Sequence, residues 1–96
     1  MKENRIELVF GKADTRLAGN PYGRSVYKEQ VEGKIDYSAK NVICFPQNIE
    51  KIASSFVQGF FAEIVEQVGF DRVQDVIRVT ASTDQIVENV WKDLLC

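Results

Sequence analysis

The sequence predicts an α/β fold in which a small mixed or mostly parallel sheet packs against helices. Segments with the period of a strand alternate with segments with the period of a helix along the chain, and this order favours parallel strands covered by helices. The chain has 96 residues, of which 45% are hydrophobic. A chain of this length forms one hydrophobic core, so we expect residues 1–96 to be a single domain.

Two strands are predicted in the first half of the chain. Residues 5–10 carry an apolar side chain at every second position, the pattern of a strand, which ends at Gly11. Residues 12–19 are polar and predict a loop or a short irregular strand. Residues 42–45 are a continuous apolar run, Val-Ile-Cys-Phe, that indicates a central strand.

A first helix is predicted between these strands. Asn20 and Pro21 can supply its N-cap and first helical residue, and apolar residues recur at helical spacing up to Gly33. An alternative interpretation makes residues 20–23 a β-turn and starts the helix at Ser25. The two interpretations differ only in where the helix begins.

The second half predicts helix, strand and helix. Residues 56–68 form one apolar stripe, and Gly69 follows as a left-handed C-terminal cap. Residues 75–80 are rich in β-branched residues, which indicates a strand. Ser82 and Gln85 have the spacing of a capping box before a closing helix. The apolar face of that helix consists of Ile86, Val87, Val90, Trp91, Leu94 and Leu95.

Charge and hydropathy exclude several classes of function. Twelve basic and fourteen acidic side chains give a net charge of −2, whereas proteins that bind nucleic-acid backbones carry a basic surface. The first residues enter the strand pattern without an apolar signal segment, and no apolar run reaches the length of a membrane span. We therefore expect a cytoplasmic protein that binds neither nucleic acid nor a membrane.

The composition also argues against catalysis. The sequence has no histidine, which removes the usual general base near neutral pH and the commonest transition-metal ligand. The two cysteines, Cys44 and Cys96, are expected to be free thiols in a reducing compartment, with Cys44 in the core. We expect no cofactor, no metal site and no enzymatic activity.

The helix start after the central strand is the region that carries most functional information. Ser54 and Ser55 stand where hydroxyls can cap free amides, and those amides also favour an anionic group. Lys51 lies three residues before Ser54, which leaves open a serine–lysine pair in a small enzyme or ligand-binding protein. Gly59 predicts close approach by a neighbouring element or a partner, since glycine inside a helix costs about 1 kcal/mol relative to alanine.

The strand, loop and helix start over residues 41–63 resemble the STAS fold family. In the anti-sigma-factor antagonists of that family, a partner kinase phosphorylates the first serine of an Asp-Ser-Ser-Gly motif, and this serine corresponds to Ser54. Ser55 and Phe56 match a serine–phenylalanine pair in the STAS-like domains of unknown function. Departures from these motifs are Ala53 for the aspartate, Phe56 for the glycine, and Gln58-Gly59 for a following Asp-Glu pair.

The resemblance implies a regulatory protein-binding module. The expected partner is a protein such as an anti-sigma-like ATPase, and Ser54 is the expected phosphorylation site. The expected contact surface consists of Ser54, Ser55, Phe56, Val57 and Gln58. The alternative is a constitutive adaptor or a homo-oligomer without a switch.

Overall fold

The chain alternates strands and helices, as its sequence pattern predicts. A computed structural model describes residues 3–95. In these residues the elements are β1 (Glu3–Glu7), β2 (Arg16–Leu17), α1 (Asn20–Val26), β3 (Lys40–Cys44), β4 (Lys51–Ile52), α2 (Ser54–Val68), α3 (Val73–Val76), β5 (Ile77–Thr80) and α4 (Asp84–Leu95), with a π-helical turn, Tyr27–Val31, continuing α1. The expectation for Cys96 lies outside the described residues.

A three-stranded parallel sheet with the order β1-β3-β5 forms the centre of the fold. Ile6 of β1 lies opposite Ile43, and Ile43 lies opposite Val79 of β5. The sequence-based predictions of a parallel sheet and of a central strand at residues 42–45 are therefore confirmed. Each strand connection passes through a helix, α1 between β1 and β3 and α2 between β3 and β5, as parallel strands require.

The core lies on one face of this sheet. Ile6, Ile43 and Ile77 are almost fully buried, together with Phe60 and Phe61 of α2. The opposite face carries exposed charged residues, among them Arg78, which forms a surface ion pair with Glu3 at 3.4 Å. Cys44 also belongs to that face and is buried, with the Arg5 guanidinium 3.3 Å from its sulfur. Cys44 is therefore buried as expected, but it lies across the sheet from the main core.

A second, very small sheet joins residues 16–17 to residues 51–52. The alternative of a short strand within residues 12–19 is therefore confirmed, whereas residues 51–52 were expected to belong to a loop. In this sheet β2 pairs with β4 in parallel, so that Arg16 lies opposite Lys51 and Leu17 opposite Ile52. The backbone N–H of Ala53 donates to the carbonyl of Leu17 at 2.8 Å. These backbone hydrogen bonds fix the position of Ala53, the residue that precedes α2.

Two boundaries in the second half differ from the predictions. The strand begins at Ile77, because the preceding residues form α3, where the N–H of Asp75 bonds the carbonyl of Arg72 at 3.0 Å. The cap of α4 is Thr83, whose hydroxyl accepts from the N–H of Ile86 at 3.3 Å. Ser82 instead donates its hydroxyl to the carbonyl of Ile49 at 3.2 Å, so the predicted capping box is wrong.

Other helix ends match the predictions only in part. α1 begins at Asn20, which excludes a start at Ser25, but its N-cap is Gly19 with φ 100° rather than Asn20. Gly69 ends α2 with the expected positive φ of 84°, whereas its ψ of 158° is extended rather than left-handed helical. Within residues 3–95 no helix has both the length and the apolarity that crossing a membrane needs.

Helices α1 and α2 touch backbone to backbone through two glycines. A Cβ built on Gly59 would overlap the carbonyl oxygen of Asn20, and one built on Gly23 would lie 2.7 Å from the backbone nitrogen of Phe60. Each glycine therefore admits the backbone of the other helix. The prediction that Gly59 allows the close approach of a neighbouring element is confirmed.

Candidate functional site

The candidate site is the start of α2, which follows β4 directly. Ala53 is the N-cap residue, with extended backbone angles of φ −74° and ψ 152°, and Ser54 and Ser55 are the first two helical residues. Within residues 3–95, no side chain forms a capping hydrogen bond at this helix end. The expectation that the two serines cap the helix is therefore wrong, because both lie inside the first turn.

Ser55 has a structural partner instead. Its hydroxyl accepts a hydrogen bond of 2.9 Å from the backbone N–H of Gly19, the residue that precedes α1. This bond joins the starts of α1 and α2 on the side where Gly23 and Gly59 bring the two helices together. Ser55 thus helps to position the first turn of both helices.

Ser54 is exposed, and its hydroxyl differs in hydrogen bonding from the hydroxyls of the other serines. The chain has five serines, all within the described residues 3–95. Four have hydroxyl hydrogen bonds: Ser25 to the carbonyl of Tyr22, Ser38 to Asp36, Ser55 to Gly19, and Ser82 to Ile49. Among the five serines, only Ser54 has a hydroxyl without a hydrogen-bond partner in the described residues. It can therefore be modified without breaking a hydrogen bond.

Two of the five predicted contact residues are buried. Phe56 and Val57 are 0% and 1% exposed, and the ring of Phe56 stacks on that of Phe60 with centroids 5.7 Å apart. They offer a partner no side-chain surface in the folded chain, which corrects the expected contact surface. Gln58 is exposed like the two serines.

A cleft of about 500 Å³ opens beside Ser54, between the start of α2 and the first turns of α4. Its lining includes Glu50, Lys51, Ser54, Thr83, Asn89 and Asp93. One wall is formed by residues 50–54, at the junction of β4 and α2, and the other by residues from Thr83 to Asp93 along α4. The α4 side of this cleft has no local sequence signal, because its residues lie 29 or more positions from Ser54 along the chain.

The cleft does not assemble a catalytic pair. Lys51 and Ser54 both line it, but among the described residues no hydrogen bond joins their side chains. Lys51 is exposed, and a lysine becomes a base when burial disfavours its charged form. Within residues 3–95, no cluster of three or more metal-ligating acidic or cysteine side chains occurs.

Two perturbed tyrosines lie away from the cleft, on and after α1. Burial raises the pKa of Tyr27 above its ordinary value of 10.0, and the Tyr37 hydroxyl, 3.2 Å from that of Tyr27, raises it further. Burial raises the pKa of Tyr22, and the negative charges of Asp14 and Glu29 add to this shift. Both groups are neutral at physiological pH and have a structural role.

A scan against protein-family models, a search of the curated proteins and a search of the solved structures each give no significant match to this chain. The function therefore has to be inferred from the geometry at the start of α2 and from the motif resemblance of the sequence.

Proposed function

We propose that this chain is a regulatory protein-binding module whose partner contacts the exposed start of α2. The contact residues are Ser54, Ser55 and Gln58 together with the rim of the adjacent cleft. The observation that carries the proposal is the free hydroxyl of Ser54, the one serine hydroxyl in residues 3–95 without a hydrogen bond. It stands at the first position of a 15-residue helix and beside an open cleft.

Phosphorylation of Ser54 is the proposed switch. A partner kinase transfers the terminal phosphoryl group of a nucleoside triphosphate to the serine oxygen; the nucleoside diphosphate leaves, and the hydroxyl proton is released. The product carries about −1.5 to −2 charges. The helix N-terminus stabilises a negative charge by about 0.3–1 kcal/mol, and Lys51 lines the same cleft. The fold should therefore persist after modification.

The effect of the switch then falls on binding. A partner that covers Ser54 must remove water from the phosphate, which costs several kcal/mol unless a cation of the partner meets it. A micromolar complex has a binding free energy of about −8 kcal/mol, so a cost of this size weakens it by orders of magnitude. The motif resemblance supports a STAS-like antagonist and an anti-sigma-like ATPase as its partner, in a cytoplasmic setting.

The test is affinity capture of the partner, followed by calorimetric titration against variants at Ser54. Ser54→Asp should fold normally and bind weakly, whereas Ser54→Ala should bind like the unmodified chain and no longer respond to the kinase. Gln74→Glu is the control, since it adds the same charge at an exposed residue of α3. Equal affinities of Ser54→Asp and Ser54→Ala would leave a constitutive adaptor, the alternative without a switch.

The cleft also favours a second candidate function, the binding of a small polar ligand. Its volume of about 500 Å³ falls within the range of known ligand sites, about 300–1,000 Å³. This candidate belongs to a different class, because Ser54 and Lys51 would then contact the ligand directly. Calorimetric binding of a phosphate or ester compound that Ser54→Ala abolishes would support it, and turnover of that compound, lost in the same variant, would refute the regulatory proposal.

A further inference from the structure

An apolar groove continues from the cleft along α2 and α4. It is lined by Gln58, Ala62, Val65, Phe70, Asp93 and Leu94 and has a volume of about 320 Å³. The two helices run in the same direction, since the start of α4 lines the cleft with Ser54 and the end of α4 lines the groove with Val65. From Ser54 to Val65 they border a continuous surface of about 17 Å, or three helical turns.

The far end of this groove is apolar and exposed. Phe70 follows the end of α2 and is 60% exposed, and the partly buried Val65 and Leu94 lie beside it. At this end of the groove one exposed aromatic ring therefore adjoins two partly buried apolar side chains.

The middle of the groove carries a negative charge. Asp93 lines both the cleft and the groove and is partly buried. In the part of the chain that the structure describes, its carboxylate has neither an ion pair nor a hydrogen bond; the ion pair found there joins Arg78 and Glu3. A cation placed over the groove by a binding partner would therefore find a free carboxylate.

From this arrangement we infer that the groove receives one amphipathic helix of the protein partner. Its apolar residues, spaced as i, i+3 or i+4, and i+7, pack on Val65, Phe70 and Leu94, and a lysine or arginine on its flank meets Asp93. The polar end of the same helix then reaches the cleft at Ser54. This inference rests on the proposed function and specifies the kind of element that the partner presents.

The experiment uses a phage-displayed library of peptides of about 18 residues, long enough to cover the three turns of the groove. Peptides selected on the immobilised chain are titrated calorimetrically against variants. Phe70→Ser changes the apolar end of the proposed contact, and Asp93→Asn removes the charge where the groove meets the cleft. Val9→Ser and Glu88→Gln are matched controls, because Val9 is 72% exposed and Glu88 is an exposed acid of α4, and neither lines the groove.

We expect the selected peptides to form amphipathic helices that carry a basic residue. Their affinity should fall about tenfold or more with Phe70→Ser and with Asp93→Asn, and should not change in the controls. A lysine-to-glutamate change in the peptide should restore binding to Asp93→Lys.

Three results would overturn it. The first is a selection without helical peptides, and the second is a set of peptides whose affinity is indifferent to the groove variants. If such peptides still lose affinity with Ser54→Asp, the proposed function stands and only the groove is excluded. The third is self-association of the chain that Phe70→Ser abolishes, which would make a second copy the occupant.

Discussion

Replacing Gly59 with alanine tests whether the contact between α1 and α2 is as close as the backbone geometry requires. The new Cβ would overlap the carbonyl oxygen of Asn20 and would lie 3.0 Å from its Cα. These are backbone atoms, so no side-chain rotation can relieve the overlap. The helices have to separate by about 1 Å to reach ordinary contact distances.

Two opposing effects determine how far Gly59→Ala changes the free energy of unfolding. Alanine is favoured over glycine inside a helix by about 1 kcal/mol. Overpacking a well-packed interface costs about 1–3 kcal/mol, and the rigid backbone of Asn20 places Gly59 near the upper end of that range. We expect a net loss of about 1–2 kcal/mol, with each kcal/mol lowering the melting temperature by about 4–8 °C in a domain of this size.

The assay is urea unfolding of wild type, Gly59→Ala and Gly33→Ala, followed by far-UV circular dichroism. Gly33 is the matched control, because a Cβ built there meets no atom within 4 Å, and the change should be neutral or stabilising by about 0.4–1 kcal/mol. If Gly59→Ala were stabilised like Gly33→Ala, the close approach of the helices would be refuted.

The reciprocal glycine gives an additional check. Gly23→Ala should also destabilise, since its Cβ would overlap the backbone of Phe56. Once the helices have separated to make room for one methyl group, the second methyl group should cause a smaller loss of stability. The double variant with Gly59→Ala should therefore be more stable than the sum of the two single changes indicates.

Two further predictions concern polar groups of the fold. Asn41 is 0% exposed, and its side chain forms hydrogen bonds with Asn4 at 2.8 Å and with the backbone of Asp36. Asn41→Ala should lower the free energy of unfolding in urea by about 2–3 kcal/mol. A decrease below about 0.5 kcal/mol would contradict this network. Folding raises the pKa of Tyr27 above its ordinary value of 10.0. The contribution of Tyr27 to the free energy of unfolding is therefore complete below pH 10.0 and is lost as the pH rises above that value. Thermal melts should show this alkaline loss reduced in Tyr27→Phe; an unchanged pH dependence would assign it to another group, such as Tyr22.

The long elements were predictable because their patterns extend over many residues. The apolar stripe of α2 continues through a helix of 15 residues, and only one helical face can bury it. The central strand β3 is buried from Asn41 to Cys44, which matches its continuous apolar run. In both cases local periodicity and tertiary burial favour the same structure.

The short elements could not be predicted from local pattern. Each strand of the small sheet has two residues, and its pairing joins Leu17 to Ile52 across α1 and β3. The last two residues of α3, Asp75 and Val76, fell within the predicted strand of residues 75–80, and a turn of four residues has too little sequence to reveal a helical period. The choice of Thr83 over Ser82 as the α4 cap depends on the carbonyl of Ile49, which no nearby sequence indicates.

The candidate site was predictable in part. The stripe that predicted α2 includes Phe56 and Val57, so their burial follows from the helix itself, and their assignment to a contact surface was inconsistent with it. The Gly19 partner of Ser55 and the position of Asp93 beside α2 depend on contacts between distant segments. These contacts distinguish the two serines, and periodicity alone cannot supply them.

The difference between Ser54 and Ser55 restricts how any switch at this site can act. Successive helical residues project about 100° apart, and here one serine faces α1 while the other lines the cleft towards α4. A phosphate on Ser55 would remove the hydroxyl acceptor of Gly19 and disturb the contact of α1 with α2. A phosphate on Ser54 breaks no bond within the described residues and adds charge to a surface bordered by Lys51 and Asp93. Of these two serines, Ser54 is therefore the one at which a modification could change binding while preserving the contacts of the fold.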